Sequence, residues 1–355
     1  RAVAGAAPAA RRWRAWRLVA PALLALCLGL VLLSVAFGIG SVTLTPGRAA
    51  AALWGDRPPR LDVVATNTRL ARALLGLGVG MALGAAGSLL QALYRNPLAS
   101  PEITGVTQGA TAAAVCWFVF GPPLPPGQVS WALPAISAGG ACLSAGLTWG
   151  ITRLGGRVEP IRMVLIGVLV GGVLGAITAI CLLYAGESAQ VVVQYLAGSL
   201  SFANWARARL FAAAAACTLP LLLLAIPRAN LLQLGDEVAA GLGAGPLGAR
   251  AIVLASAATL TGAAVCTVGG IGFVGLVVPH ILRGVGGGDQ RRLVPASALG
   301  GGALVLVADF LARNLLPQPL GAALGLPFNP TTLPVGVFLA LIGGPFFLFI
   351  LRRTR

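Results

Sequence analysis

The 355-residue chain is 57% hydrophobic and only 10% charged, and its mean hydropathy is +0.90. A soluble domain carries about 25% charged residues, so this composition excludes a soluble globular protein of the same length. All basic residues are arginine and the net charge is +16. No basic patch with interleaved aromatic residues is present, which argues against nucleic acid as a partner.

The apolar residues form blocks of about 17 to 25 residues, the length that spans a lipid bilayer as a helix. The strict alternation of a transmembrane β-barrel is absent, and helices are the other structure that can cross lipid. The chain is therefore predicted to be an all-α polytopic membrane protein, a single domain over residues 1–355. About ten spans are expected, at 18–40, 71–93, 104–121, 131–152, 162–184, 208–226, 250–269, 271–284, 295–315 and 331–351.

The arginines predict the orientation of these spans. The tail 1–17 carries several arginines and precedes a first apolar run that is too long for the usual cleaved signal core, so we expect a retained first helix. An even number of spans places both termini on one side, and 17 of the 25 arginines fall on that side. The positive-inside rule then predicts a multi-pass protein of the cytoplasmic (inner) membrane with cytoplasmic termini. Eight arginines remain on the outer side.

Two patterns concern helix packing. Spans 2–5 and 7–10 form two groups of four, and the second group would be inverted relative to the first, as in many transporters. Gly76, Gly80 and Gly84 share one face of span 2 at a four-residue spacing, which predicts close approach of a neighbouring helix. The eighth span is short, and it either re-enters the membrane or continues from the seventh.

Three connections interrupt the helical pattern. Residues 96–101 contain two prolines between spans 2 and 3. The cytoplasmic loop 234–250 starts with a helix-compatible stretch whose first residues include acids, which a helix N-terminus favours, and it then turns at glycines and a proline. The outer segment 185–206 contains a predicted surface helix at 190–205.

Residues that carry chemistry are scarce. No nucleotide-binding GxxxxGK[ST] loop is present, so the chain is not expected to be an ATPase or another enzyme. His280 stands alone and is expected to have a structural role at a helix end. The six cysteines show no CxxC spacing and are interpreted as apolar packing residues. No metal or cofactor site is predicted.

Asp309 is the acid that the predicted spans contain. Arg313 follows it by four residues, which predicts a local ion pair on one helix face. Proton- and sodium-driven transporters keep ionisable groups near the bilayer midplane. The scarcity of such groups favours a pathway driven by a partner. A stand-alone secondary transporter or channel is the alternative from a different class.

Several segments, in order along the chain, resemble one permease family, that of the importers of ferric siderophores, haem and cobalamin. The resemblance extends from about residue 20 to the C-terminus. It rests on RLAR (69–72), QALYRNPLASPEITGVTQGA (91–110), LGDEVAAGLG (234–243), GGIGFVGLVVPHILR (269–283), LVADFLAR (306–313) and LPVGVFLALIGGPFFLFILRR (333–353).

The resemblance implies the permease subunit of an ATP-binding-cassette (ABC) importer with ten helices per subunit. The expected partners are a second permease copy in a homodimer, two ABC ATPase subunits that use ATP and magnesium, and a periplasmic or lipoprotein substrate-binding protein. No cofactor would be bound by this chain. The sequences of residues 96–110 and of YLAGSL (195–200) resemble siderophore permeases most, which favours a ferric siderophore as the iron-chelate substrate, with haem or cobalamin as alternatives.

The resemblance also implies roles for individual residues at four places. The implied roles are docking of the binding protein for Arg69, Arg72 and Arg313; coupling to the ATPase for Asp236, Glu237, Gly243 and Gly245; the cytoplasmic gate for Asn96 and Leu98; and the outer gate, within 185–206, for Gln194, Ser199 and Ser201. The chain departs from the family in having Thr332 where an acid often stands, and in a longer outer stretch at 314–330.

Overall fold

The computed structural model describes residues 9–36, 68–122, 126–155, 158–242, 245–314 and 333–353. Within these ranges the regular structure is helical, which confirms the all-α prediction. The helices are α1 (Ala9–Ala36), α2 (Ala71–Leu93), α3 (Val106–Phe120), α4 (Pro126–Leu154), α5 (Pro160–Leu183), α6 (Ala189–Leu196), α7 (Trp205–Gln233), α8 (Asp236–Gly241), α9 (Pro246–Val268), α10 (Val274–Gly286), α11 (Gln290–Asn314) and α12 (Val335–Arg353).

Within the described ranges, each predicted span overlaps one of these helices. Six described helical stretches are long and apolar enough to cross a membrane: Trp16–Val35, Thr68–Leu93, Pro160–Leu183, Trp205–Gln233, Pro246–Val268 and Gln290–Arg313. The apolar helices α3 and α10 are shorter. A multi-pass helical membrane protein is thereby supported, whereas the count of ten crossings and the inverted relation of the two groups stay predictions.

Helix α2 is the centre of the core. Most of its side chains are buried, and it packs against α7, α9, α10 and α11. A Cβ atom on Gly80 would overlap the backbone of Gly301, and one on Gly84 would overlap that of Ser297, both on α11. The predicted close approach at the glycine face of span 2 is therefore confirmed, because only glycine allows the two backbones to lie this near each other.

Two boundaries differ from the prediction. Helix α7 extends at both ends beyond the predicted 208–226 and contains Pro220 and Pro227. The span was predicted to end at residue 226, just before Pro227. The helix continues through Pro227, because prolines are tolerated in the apolar helices of membrane proteins. The expected surface helix at 190–205 is also shorter, because α6 ends at Leu196 and a turn leads into α7.

Helix α10 is separate from α9, so continuity between the seventh and eighth spans was wrong. Gly269 and Phe273 both have positive φ angles, +82° and +67°, and residues 269–273 between the two helices are not helical. For a bulky residue such as Phe273 this conformation is rare and is held by the surrounding structure.

The bundle has two ends. One end, called here the α8 end, contains the finish of α2, α4 and α7 and the start of α5 and α9. The opposite end, called the α6 end, contains the start of α2, α7 and α12 and the finish of α9 and α11. Of the residues that the resemblance singled out, those that the structure describes fall at these two ends.

Candidate functional site

The α8 end carries an ion-pair cluster centred on Asp236, the first residue of α8. Its two carboxylate oxygens each lie 2.8 Å from Nη2 of Arg250. Nη2 of Arg95 lies 3.2 Å from Oδ1 of the same carboxylate. Arg250 is buried, and its Nη1 donates a hydrogen bond to the carbonyl of Val158, just before α5 begins. Asp236 therefore connects α8 with Arg95 and with Arg250, and Arg250 in turn contacts the residue before Glu159 and α5.

Arg95 belongs to a tight turn that follows α2 and contains both predicted gate residues. The Asn96 side chain accepts a hydrogen bond of 2.9 Å from the Leu98 backbone N–H, which closes the turn locally. Arg95 has a φ angle of +50°, an uncommon conformation for a residue with a Cβ atom. Asn96 is exposed at this end, and Leu98 is half-buried.

Two cavities flank Arg95. One has a volume of about 640 Å³ and lies between the turn, at Tyr94–Asn96, and the start of α5, at Glu159–Leu165. The other, of about 330 Å³, lies between Arg95 and residues 234–238. Arg95 thus stands between the predicted gate and the predicted coupling helix.

The remaining predicted coupling residues are located as follows. Glu237 lies in the first turn of α8, is exposed, and follows Asp236 as expected. Gly245 precedes the first residue of α9 and is exposed. Gly243 lies outside the described residues.

The α6 end carries a second charged cluster, built on α2 and α11. Arg72 donates to Asp309 from two nitrogens: Nη2 lies 2.7 Å from Oδ1, and Nε lies 3.1 Å from Oδ1 and 3.2 Å from Oδ2. Arg313 approaches Oδ2 of Asp309 at 3.0 Å. The expected pair between Asp309 and Arg313 is confirmed, and its extension to Arg72 was not foreseen. Arg69 contacts α1 by donating a hydrogen bond of 3.0 Å to the Val35 carbonyl.

The three arginines that were predicted to dock the binding protein are largely buried. Only 5% of Arg69 and 5% of Arg313 are exposed, and the Arg72 side chain is 13% exposed. Arg313 also donates a hydrogen bond of 2.7 Å to the Ser34 hydroxyl on α1. The three arginines join α1, α2 and α11, and their role in docking stays a prediction. The 314–330 stretch and Thr332, next to this cluster in sequence, lie outside the described residues apart from the backbone of Asn314.

The predicted outer gate, after α6, is tied to several helices. The Ser199 backbone N–H donates a hydrogen bond of 2.8 Å to the Val268 carbonyl of α9, and the Gly336 N–H of α12 donates one of 3.0 Å to Gly198. Ser199 and Ser201 share a hydrogen bond of 2.9 Å between their hydroxyls. Gln194 is half-buried on α6. The segment thus lies between the ends of α9 and α12.

Tyr195 is a further polar residue of this segment, and sequence reasoning missed it as a site residue. Its hydroxyl donates a hydrogen bond of 2.9 Å to the Val265 carbonyl and lies 3.0 Å from the Ser137 hydroxyl on α4. Tyr195 therefore attaches α6 to both α9 and α4. An aromatic residue in an otherwise apolar short helix was the signal that could have found it, since a buried tyrosine hydroxyl requires a partner.

Glu102 is a second residue that sequence reasoning missed. It lies in the connection between α2 and α3, near Gly272 and the first turn of α10. Burial raises the pKa of its carboxyl, and the Ser100 hydroxyl and the Phe273 backbone N–H oppose that rise. Within the described ranges, no three His, Cys, Asp or Glu side chains come together as metal ligands.

The chain is similar to known proteins over almost its full length. A model of the FecCD transport family matches residues 23–353. The Fe(3+)-citrate import system permease protein YfmE of Bacillus subtilis is 34% identical over 332 residues, which are 93% of this chain and 94% of the relative. The Fe(3+) dicitrate transport system permease protein FecD of Escherichia coli is 38% identical over 329 residues, 92% of this chain and 96% of the relative. Relatives named as hemin and cobalamin permeases also match.

A solved structure gives the same picture of the fold. It is an inward-facing conformation of a metal-chelate type ABC transporter, and it superposes with a TM-score of 0.78 at 26% identity, over 94% of this chain and 99% of the other. The family match covers nearly the whole chain and includes both charged ends of the bundle. The chain belongs to the FecCD transport family.

Proposed function

We propose that this chain is the membrane-spanning subunit of an ABC importer that moves a ferric siderophore or ferric citrate across the cytoplasmic membrane. The observation that carries this proposal is the family match over residues 23–353, which includes the α8 segment between two long apolar helices. The match to the relatives named as ferric citrate permeases extends over almost their full length.

The energy for transport comes, in this proposal, from two separate ATPase subunits. The sequence contains no phosphate-binding loop of its own. Helix α8 is short and exposed, and its first turn carries Asp236 and Glu237, so it offers a surface on which an ATPase can dock. With the α8 end in the cytoplasm, both termini are cytoplasmic, as the arginine distribution favours.

The pathway is proposed to form between two copies of the chain. Helix α5 buries few side chains within one copy, and much of its surface is apolar and exposed, including Leu165, Leu169 and Val173. Lipid and a second copy are the surroundings that suit such a surface. The outer gate after α6 and the turn at Asn96 and Leu98 would open in alternation.

Docking of the binding protein is proposed at the α6 end. Arg72 and Arg313 share the single carboxylate of Asp309, so the three groups together carry one positive charge. A positive field at this end would attract acidic residues of a partner even where the guanidinium groups are buried.

The test is uptake by the reconstituted complex of permease, ATPase and binding protein in proteoliposomes. Ferric citrate, a ferric hydroxamate, haem and cobalamin are supplied side by side with internal ATP. ATP-dependent uptake of a ferric chelate is expected. Uptake of haem or cobalamin alone would assign the chain to those branches of the family, and absence of uptake for all four would contradict the proposal.

A further inference from the structure

Asp236 joins the coupling helix α8 to the distant turn after α2 and to the following helix α9. Its partner Arg95 is 141 residues away, and its partner Arg250 is 14 residues away. Arg95 belongs to the turn that contains Asn96 and Leu98, and Arg250 reaches the Val158 carbonyl. Any displacement of α8 therefore acts on both the turn and the start of α5.

The turn is stiff enough to transmit such a displacement. The backbone N–H groups of Arg95 and Asn96 donate to Ala92 and Gln91 in the last turn of α2, and the Ala99 N–H donates to the Asn96 carbonyl. The Asn96 side chain also holds the Leu98 N–H. Because four hydrogen bonds close this turn, a displacement of the Arg95 side chain should move the whole turn and not deform its backbone.

The two ion pairs differ in character. The Arg250 side chain is 5% exposed, and it shares two short hydrogen bonds with the carboxylate, so this pair anchors α8 on α9. Arg95 is 39% exposed and Asp236 42%. A pair this exposed contributes little to folding, and it can form and break during a transport cycle. Arg95 is thus the adjustable member of the cluster.

We propose that Asp236 and Arg95 are the positioning residues that link ATPase-driven motion of α8 to the cytoplasmic gate turn. This inference rests on the proposed function, because it assumes that an ATPase docks on α8. In one state of the cycle Arg95 holds the turn against α8, and in the other the pair separates and the turn follows α2. Arg250 keeps α8 attached throughout.

The experiment compares Arg95→Gln, Arg95→Lys and the wild type in the full complex, with Arg153→Gln as the control. Arg153 is an exposed arginine in the last turn of α4, outside the cluster. ATP hydrolysis and uptake of radiolabelled ferric citrate are measured in the same proteoliposomes. For Arg95→Gln, uptake per ATP hydrolysed should fall about fivefold, within reach of an exposed ion pair, while ATPase activity and co-purification of the ATPase persist.

Arg95→Lys should restore most of the uptake per ATP, since it keeps the charge, and Arg153→Gln should match the wild type. An unchanged ratio in Arg95→Gln would overturn the link while leaving the proposed function intact. Loss of the ATPase on purification of Arg95→Gln would also overturn it, because Arg95 would then hold the ATPase itself. A wild-type complex that takes up neither ferric citrate nor any of the other three chelates would instead contradict the proposed function.

Discussion

Arg72 on α2 and Asp309 on α11 form an ion pair through two nitrogens, with Nη2 2.7 Å from Oδ1 and Nε 3.1 Å from Oδ1 and 3.2 Å from Oδ2. Arg313 completes the arrangement from the next turn of α11. Asp309 is 1% exposed, so the two guanidinium groups depend on this one carboxylate. The pair fixes α2 against α11 at the end opposite to α8.

Asp309→Asn should therefore destabilise the chain strongly. The substitution keeps the shape of the side chain but leaves two buried guanidinium groups without their counter-charge, which costs about 3 kcal/mol of unfolding free energy. Thermal or denaturant unfolding in detergent measures the change. Glu159→Gln is the control, because Glu159 is exposed, and it should change stability by less than about 0.5 kcal/mol. Equal stability of the two variants would show that Asp309 does not hold the cluster.

Docking of the binding protein should depend on the charge at the α6 end. Arg69→Gln combined with Arg72→Gln should weaken binding to the loaded binding protein about tenfold, chiefly through a slower association rate, since the positive field that attracts the acidic partner is lost. Surface plasmon resonance on the detergent-purified complex checks this. Arg162→Gln removes a charge at the opposite end and should leave binding unchanged.

A second readout keeps this prediction informative if the double variant is poorly folded. Wild-type affinity for the binding protein should decrease as the salt concentration rises, because salt screens charges across the interface. An affinity that is independent of salt, together with unchanged binding by a folded double variant, would remove the arginines from the docking account.

The glycine face of α2 predicts a packing defect. Gly84→Ala places a methyl group into the backbone of Ser297, so the helices must separate and stability should fall by about 1–3 kcal/mol. Gly29→Ala is the matched control, because no atom lies near the position of its new Cβ, and alanine favours a helix over glycine. Unfolding in detergent should show loss in the first variant and none in the second.

Cys116 and Cys181 offer a direct check of how α3 packs on α5. Their sulfur atoms lie 3.4 Å apart although both cysteines are free. Mild oxidation with copper phenanthroline should join them, detected as a cross-linked peptide pair by mass spectrometry. Cys116→Ser should abolish that peptide pair. Alkylation of both thiols after oxidation would contradict the placement of α3 beside α5.

Local patterns were sufficient to predict much of this fold. The long apolar blocks indicated helices, the spacing of Gly80 and Gly84 indicated a close neighbour, and Asp309 followed by Arg313 indicated an ion pair. Each of these features depends on residues within a few turns of one helix. The helix dipole likewise accounts for the acids that start α8.

Contacts between distant segments were beyond such patterns. Arg72 and Asp309 are 237 residues apart in the sequence, and Arg250 and Val158 are 92 residues apart. Neither contact can therefore be predicted from a local spacing. The arginines were counted for topology, and that count says nothing about which of them is buried. The cysteines were interpreted as apolar packing residues, and the proximity of Cys116 to Cys181 depends on the approach of α3 to α5.

ATP-dependent uptake of ferric citrate tests the central claim most directly. Proteoliposomes that contain this chain alone are compared with proteoliposomes that contain the permease with its ATPase and binding protein, each with and without internal ATP. Uptake is expected only from the complete complex with ATP. Uptake by the chain alone, driven by a proton or sodium gradient, would contradict the account and establish a secondary transporter.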